Sequence, residues 1–301
     1  MDFDADGQDD VISGSYHPGD LYLFARQSDG TYKKPEKILG SDGKPVNVGA
    51  AAHACTADWD ADGDLDLIVG NIGGEVWLVP NEGSRKQPAY GAKQKLSAGG
   101  KPITGGHDAG PTVADWDGDG KPDLIVGGGN GDVQFYRNTS DDKAKPELAA
   151  AQTLVPESPT RKRDPGVAEA AALRHGMRVK PHVVDWNGDG KLDLLVGDFT
   201  SVEVKPELTD DQRARQTATE KNFGELKAEQ DRLGVAPDGE TPEQRKERQK
   251  QLRNVQREII THSREALQAS QPRRHETHGY VWLYLRKDAG QKSAAAQGGG
   301  G

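Results

Sequence analysis

Apolar positions along this chain come in short runs. Val11-Ile12, Leu67-Ile68-Val69, Leu124-Ile125-Val126 and Leu194-Leu195-Val196 are each preceded by an aspartate. Runs this short, bounded by turn residues, predict buried strands. A glycine follows each run, and then a second apolar stretch: Leu21-Tyr22-Leu23-Phe24, Val76-Trp77-Leu78-Val79, Val133-Gln134-Phe135-Tyr136 and Val281-Trp282-Leu283-Tyr284. Each pair predicts an antiparallel hairpin. Another strand leads into the motif, as in Thr112-Val113-Ala114 and His182-Val183-Val184, and a further candidate recurs in the stretches from Lys37 and from Lys95. The predicted unit is a three- or four-stranded antiparallel sheet of about 56 residues, repeated four times within residues 1–202.

The fourth unit is interrupted. Asp66 to Gly74 and Asp123 to Gly131 each span 8 residues, whereas Asp193 to Gly279 spans 86, so about 78 residues are inserted between two strands. Thr209 before Asp210-Asp211 is a helix cap, and Thr241-Pro242-Glu243-Gln244 combines a cap, a first-turn proline and a capping-box glutamine. Phe223, Leu226 and Leu233 give one narrow apolar stripe, and Leu252, Val255 and Ile259 give another. Residues 203–278 are therefore predicted to form an antiparallel, coiled-coil-like helical hairpin, broken between Gly234 and Gly239 and dispensable for the sheets. Residues 279–287 return as the last strand, and 288–301 form a disordered tail. The stretch Pro146 to Arg178 reads as a solvated loop with a short helix near Val167 to Leu173.

Composition narrows the function classes. The chain has 301 residues and a formal net charge of -9, which disfavours nucleic acid and favours cations as partners. Cys55, the single cysteine, excludes an internal disulfide framework and any multi-cysteine zinc site. No apolar run reaches the length of a membrane span, and no basic-then-apolar signal segment opens the chain. The chain begins directly inside a motif copy, as though an upstream segment were missing.

The copies are Asp2 to Gly14, Asp58 to Gly70, Asp115 to Gly127 and Asp185 to Gly197, aligned without gaps and starting 56, 57 and 70 residues apart. Each sets oxygen side chains at positions 1, 3, 5 and 9 of a loop. These are Asp2, Asp4, Asp6 and Asp10; Asp58, Asp60, Asp62 and Asp66; Asp115, Asp117, Asp119 and Asp123; and Asp185, Asn187, Asp189 and Asp193. Carboxylates so crowded repel one another unless a cation lies between them. A flexible oxygen cage suits Ca²⁺ better than Mg²⁺. Glycine at position 6 turns the chain with positive φ, so that the position-7 carbonyls of Gln8, Asp64, Lys121 and Lys191 complete the ligand set. Position 12 is Ser13, Val69, Val126 or Val196, which excludes an EF-hand. Asn187 leaves the fourth loop one carboxylate short, so it is expected to bind more weakly. The position-2 aromatics, Phe3, Trp59, Trp116 and Trp186, are expected to pack between sheets.

The pattern D-x-D-x-D-G-x-x-D-L-x-V-G followed by G-x-V-x-L-Y resembles FG-GAP or VCBS-type repeats, the calcium-loop blades of integrin alpha subunits and many bacterial exported proteins. The resemblance implies a mainly β fold, a β-propeller of about four blades, with Ca²⁺ in the loops and an extracellular or cell-envelope location. The literal FG and GAP tripeptides are absent, and four copies stand where integrin-type propellers have seven blades.

His17, His53, His107 and His182 stand at different offsets from their motifs and read as turn or packing residues, and Cys55 reads as a small buried hydrophobe. No GxSxG, HExxH or phosphate-loop motif occurs, so no catalytic residue is assigned. The expectation is a non-catalytic module for protein or glycan binding and adhesion. The competing reading is a polysaccharide-active lyase or hydrolase, which requires His, Arg, Lys and Tyr converging on one face.

Overall fold

The computed structural model describes residues 1–158, 175–204, 209–269 and 274–287. The expected short helix near 167–173 and the tail 288–301 lie outside them. The chain divides into two compact units, one over residues 1–200 with 277 onward, the other over 201–276.

The first unit is built from four antiparallel sheets in sequence order. β1 (Val11–Gly14), β2 (Leu21–Phe24) and β3 (Glu36–Lys37) form the first, which has no strand leading into its motif among the described residues. β4 (His53–Ala57), β5 (Asp66–Gly70), β6 (Val76–Val79) and β7 (Gln94–Lys95) form the second, followed by a ribbon of β8 (Ser97–Ala98) and β9 (Lys101–Pro102). The third contains β10 (Gly110–Ala114), β11 (Asp123–Gly127), β12 (Val133–Tyr136) and β13 (Gln152–Val155). In the fourth, β14 (Met177–Val184) pairs with β15 (Asp193–Val204), whose other edge carries both β16 (Arg274–His278) and β17 (Val281–Tyr284). Among the described residues the sheets do not close on one another through shared strand pairing.

One part of the Pro146 to Arg178 stretch departs from the expected loop. Gln152 to Val155 pairs with β12 as the outer strand of the third sheet, with a bulge at Val133/Gln134. Val155 is buried because it joins the apolar layer beside the fourth sheet. A four-residue outer strand with one well-buried side chain gives little alternation to read.

Packing follows from strand alternation. Leu67 and Val69 of β5 face the first sheet, in a layer with Leu21 and Ile38, while Ile68 between them faces the third sheet beside Leu124 and Val126. Ile125 of β11 in turn faces the fourth sheet, against Leu194 and Val196. Both central strands are buried along their whole length. Three apolar layers thus lie between four stacked sheets, and burying one such side chain contributes roughly 1.5–3 kcal/mol. The glycine ending each run has a steric reason: a Cβ at Gly14, Gly70 or Gly127 would lie 2.1–2.3 Å from the carbonyl of Ala52, Ala109 or Val179 in the next sheet.

The second unit carries α1 (Asp210–Gly234) and α2 (Pro242–Ala269), which pack together as the expected hairpin. The capping box forms in both directions: the Thr241 amide donates to Gln244 Oε1 at 2.9 Å and the Gln244 amide donates to Thr241 Oγ1 at 3.3 Å. Arg248 ties the turn together, donating to the Leu233 carbonyl and to Glu240, each at 2.7 Å. Leu233 is buried and Leu226, Leu252, Val255 and Ile259 are half-buried, whereas Phe223 is exposed. The inserted segment does not begin as helix, because β15 runs on to Val204 and pairs with β16. Replacing residues 201–276 with a short Asn-Gly turn should leave a folded, soluble first unit, since loop length costs only about 0.6 kcal/mol per doubling. Circular dichroism and a thermal unfolding curve check this. Insoluble material would show that the helices belong to the core.

Candidate metal centres

Each Asp-rich loop is shaped by two backbone devices. Residues at positions 4 and 6 both have positive φ: Ala5 and Gly7, Ala61 and Gly63, Gly118 and Gly120, Gly188 and Gly190. Position 6 behaves as the sequence predicts. Position 4 carries alanine in the first two loops, at φ 59° and 60°, a left-handed conformation that costs an L-residue roughly 1 kcal/mol.

The second device is the position-9 aspartate, which is buried in all four loops. Its Oδ2 accepts the position-2 amide: Phe3 to Asp10 at 2.9 Å, Trp59 to Asp66 at 3.0 Å, Trp116 to Asp123 at 3.0 Å and Trp186 to Asp193 at 3.1 Å. Its Oδ1 accepts an amide from just beyond the second strand: Arg26 at 2.8 Å, Asn81 at 2.7 Å, Asn138 at 2.7 Å and Arg286 at 2.8 Å. This carboxylate brackets the loop to the hairpin. Asn81 and Asn138 extend the bracket, for their own side-chain oxygens accept amides of Gly83 and Ala89, and of Ser140 and Glu147. The asparagine two residues past the apolar stretch was the available sequence signal for this contact, in Pro80-Asn81 and Arg137-Asn138.

Positions 1, 3 and 5 form the mouth of the loop. Asp2, Asp4 and Asp6 bring one oxygen each within 4.8 Å of one another, and so do Asp58, Asp60 and Asp62. In the third loop the convergent set is Asp115, Asp117 and Asp123, while Asp119 turns to Arg137. That arginine also reaches Asp117 at 2.6 Å, so a guanidinium shares the third cluster. Asp185, Asn187 and Asp189 of the fourth loop are held by local bonds, with Asn187 Nδ2 donating to Asp189 at 3.2 Å. Position 7 follows each turn, its amide donating to the position-5 carboxylate in Gln8, Asp64, Lys121 and Lys191.

The electrostatics show crowding. Burial, then the neighbouring Asp10 and Asp6, raise the Asp4 carboxyl above the usual carboxylate range. Burial raises Asp60 and Asp64 too, with Asp62 the next cause in each. Asp66 is pushed up to about 6 by burial, although the Asn81 and Trp59 amides pull it down. Burial likewise raises Asp123. Asp60 Oδ1 and Asp64 Oδ1 are buried without a hydrogen-bond partner. Asp189 is lowered by the Lys191 amide, the opposite direction.

A second polar group lies on the strands leading into the motifs. Asp108 accepts from Arg178 and from Lys180 at 3.2 Å, and Lys180 also donates to the Asp108 carbonyl at 2.7 Å. His53 is lowered to about 4 by burial first and then by Lys180, against the pull of Asp108. Cys55 packs in the layer between the second and third sheets, where burial pushes its thiol up to about 12.

A family model described as an FG-GAP-like repeat matches the chain three times, over residues 2–69, 58–126 and 115–196. The chain belongs to the FG-GAP-like repeat family. No curated protein matches it. The FG-GAP-like matches end at residue 196, so the helical insertion lies beyond them.

Two predictions follow from this geometry. Asp66→Ala should destabilise the protein by about 2–5 kcal/mol in urea unfolding with EDTA present, because two buried amides lose their acceptor. Asp58→Ala should cost under about 1 kcal/mol under the same conditions; equal losses would refute the bracket. The second concerns pH: His53 binds its proton at about pH 4 when folded and at about pH 6.5 when unfolded, so the unfolded state takes up protons first. Stability from neutral His53 is therefore full above that window and lost as pH falls through it. His53→Gln should remove an acid loss on the order of 3 kcal/mol. Parallel wild-type and variant curves would show that the ring is not excluded from charging.

Proposed function

We propose that this FG-GAP-like repeat protein is a calcium-stabilised module of propeller type, a non-catalytic scaffold that binds a protein or glycan outside the cytoplasm. The observation that carries the ion is the second loop: three carboxylates converge within 4.8 Å, and Asp60 Oδ1 and Asp64 Oδ1 are buried without partners. Buried carboxylate oxygens left unpaired are costly, and a hard divalent cation satisfies several at once. Asp2, Asp4 and Asp6 would hold an ion in the first loop, Asp58, Asp60, Asp62 and Asp64 in the second, and Asp115, Asp117 and Asp123 in the third. The ion's role is structural. It neutralises like charges at the loop mouth and fixes the turn that the position-9 bracket anchors to the sheet.

Several features support a binding role. The polar group around Asp108 is saturated by its own ion pairs, and the thiol of Cys55 is held protonated, so neither offers a free nucleophile or base. Four antiparallel sheets repeat the same loop, an arrangement that suits recognition of an extended partner. The extracytoplasmic location rests only on the resemblance of the repeat to those found in many exported proteins.

Thermal unfolding across millimolar CaCl₂, MgCl₂ and EDTA tests the reading. Calcium at ten times its dissociation constant should stabilise by about 1.4 kcal/mol per site, and magnesium by much less. An unfolding midpoint that ignores both calcium and EDTA would overturn it.

A further inference from the structure

The loops differ in what else stands at their mouths. In the second loop Asp58, Asp60 and Asp62 converge within 4.8 Å, and Asp60 Oδ1 and Asp64 Oδ1 are buried without a hydrogen-bond partner. Asp64 is itself only 5% exposed. The third loop is arranged differently. Arg137 Nε lies 2.6 Å from Asp117 Oδ2 and Arg137 Nη2 lies 3.2 Å from Asp119 Oδ2, so one guanidinium bridges positions 3 and 5. Asp119 drops out of the convergent set, which Asp123 completes. Among the described residues, no side-chain oxygen of this loop is buried and unpaired. Lys121, the other cation of this loop, turns to Asp141 at 3.3 Å.

The difference traces to one position, the residue just past the second strand of each repeat. In three repeats its carbonyl accepts an amide from the outer segment: Ala25 from Lys33, Pro80 from Gly91 and Arg137 from Ala149, each at 2.8 Å. The residue after it donates the bracket amide to position 9, from Arg26, Asn81 and Asn138. The backbone therefore sets Ala25, Pro80 and Arg137 equivalently beside their loops. Leu285 holds the corresponding place in the fourth repeat. Arg137 alone among the four carries a charge, on a side chain long enough to reach the acids.

We propose that the Arg137 guanidinium is the resident cation of the third loop, standing where calcium stands in the first two, so that this loop takes an ion only when Arg137 is displaced. The inference rests on the calcium reading and concerns which loops the ion fills. A guanidinium holds two carboxylates through a rigid fork of N–H donors, whereas Ca²⁺ takes about 6 to 8 oxygens. The two cations repel at contact distance, so they exclude one another from Asp117. Calcium affinity at the third loop is reduced by the fraction of molecules in which Arg137 is withdrawn. The fourth loop also supplies its own donor, for Asn187 Nδ2 bonds Asp189 at 3.2 Å. Two loops thus leave their acids for an ion, and two partner them from within the chain.

Equilibrium dialysis of the full chain against a CaCl₂ series, with urea unfolding in EDTA and in calcium, tests this. Wild type should bind two ions, one for each loop whose three acids converge without an internal cation. Arg137→Gln should bind a third, at least about tenfold more tightly than wild type does. In EDTA this variant should unfold at lower urea, because Asp117 and Asp119 lose their partner, and saturating calcium should return it to the wild-type midpoint. Arg137→Lys, which keeps the charge without the fork, should fall between the two. Pro80→Arg copies the device into the second repeat and should bind one ion fewer than wild type. An ion count unchanged in Arg137→Gln, or in a folded Pro80→Arg, overturns the proposal and leaves the calcium reading intact. A loss in EDTA that calcium does not restore also overturns it, since Arg137 would then be an ordinary ion pair. No ion bound by any of these proteins overturns the calcium reading, and this inference with it.

Discussion

The contact on which the rest of the structure depends is the position-9 carboxylate with its two backbone amides. Asp123 is fully buried, takes one N–H from Trp116 in its loop and another from Asn138 beyond β12, and begins β11 itself. Three chain segments thus meet on one side chain, so loop, central strand and second strand hold one geometry. Hydrogen bonds to a charged acceptor are roughly twice as strong as neutral ones, which offsets part of the cost of burying the carboxylate. Burial first, with neighbouring acids adding to it, still holds Asp66 and Asp123 above the usual carboxylate range.

From this bracket the packing follows without further devices. Fixing the first residue of the central strand fixes which way positions 10, 11 and 12 point, and alternation sends them to opposite neighbours. Glycine at position 13 then lets the next repeat's backbone approach, since a Cβ added at Gly70 or Gly127 would lie 2.3 Å from a carbonyl oxygen there. The position-2 aromatic is placed by the same bracket, because the amide that Asp10 holds belongs to Phe3, whose ring stacks on Tyr90 with centroids 6.3 Å apart. Packing between sheets and shape of the loop are consequences of one interaction.

Repetition made much of this legible in the sequence. Four gapless copies identify the sheets, the position-6 turns and the helical insertion, and the caps at Thr209 and Thr241 locate the helices within a residue. What was not legible lies where a residue acts through a partner distant in the chain. Asp10, Asp66, Asp123 and Asp193 are the same residue type as the other loop acids, and only the fold shows that each of their oxygens also accepts a backbone amide, from as far as 93 residues away. Arg137 is remote from Asp117 and Asp119 in sequence and enters their cluster across the hairpin. Trp186 carries the same motif position as Trp59, yet its exposure depends on whether a sheet follows, a property of the stack and not of the repeat.

The bracket also explains how an event at a loop mouth reaches the sheets. Asp60 and Asp64 crowd Asp66, so each unneutralised charge at the mouth raises the cost of keeping the bracket ionised. A cation held by positions 1, 3 and 5 would lower that cost without touching the bracket's hydrogen bonds. Loop and sheet are then thermodynamically linked through one carboxylate, with no movement of the backbone required. The fourth loop differs in this respect: Asn187 replaces a charge and the Lys191 amide lowers Asp189, so its Asp193 bracket faces fewer like charges.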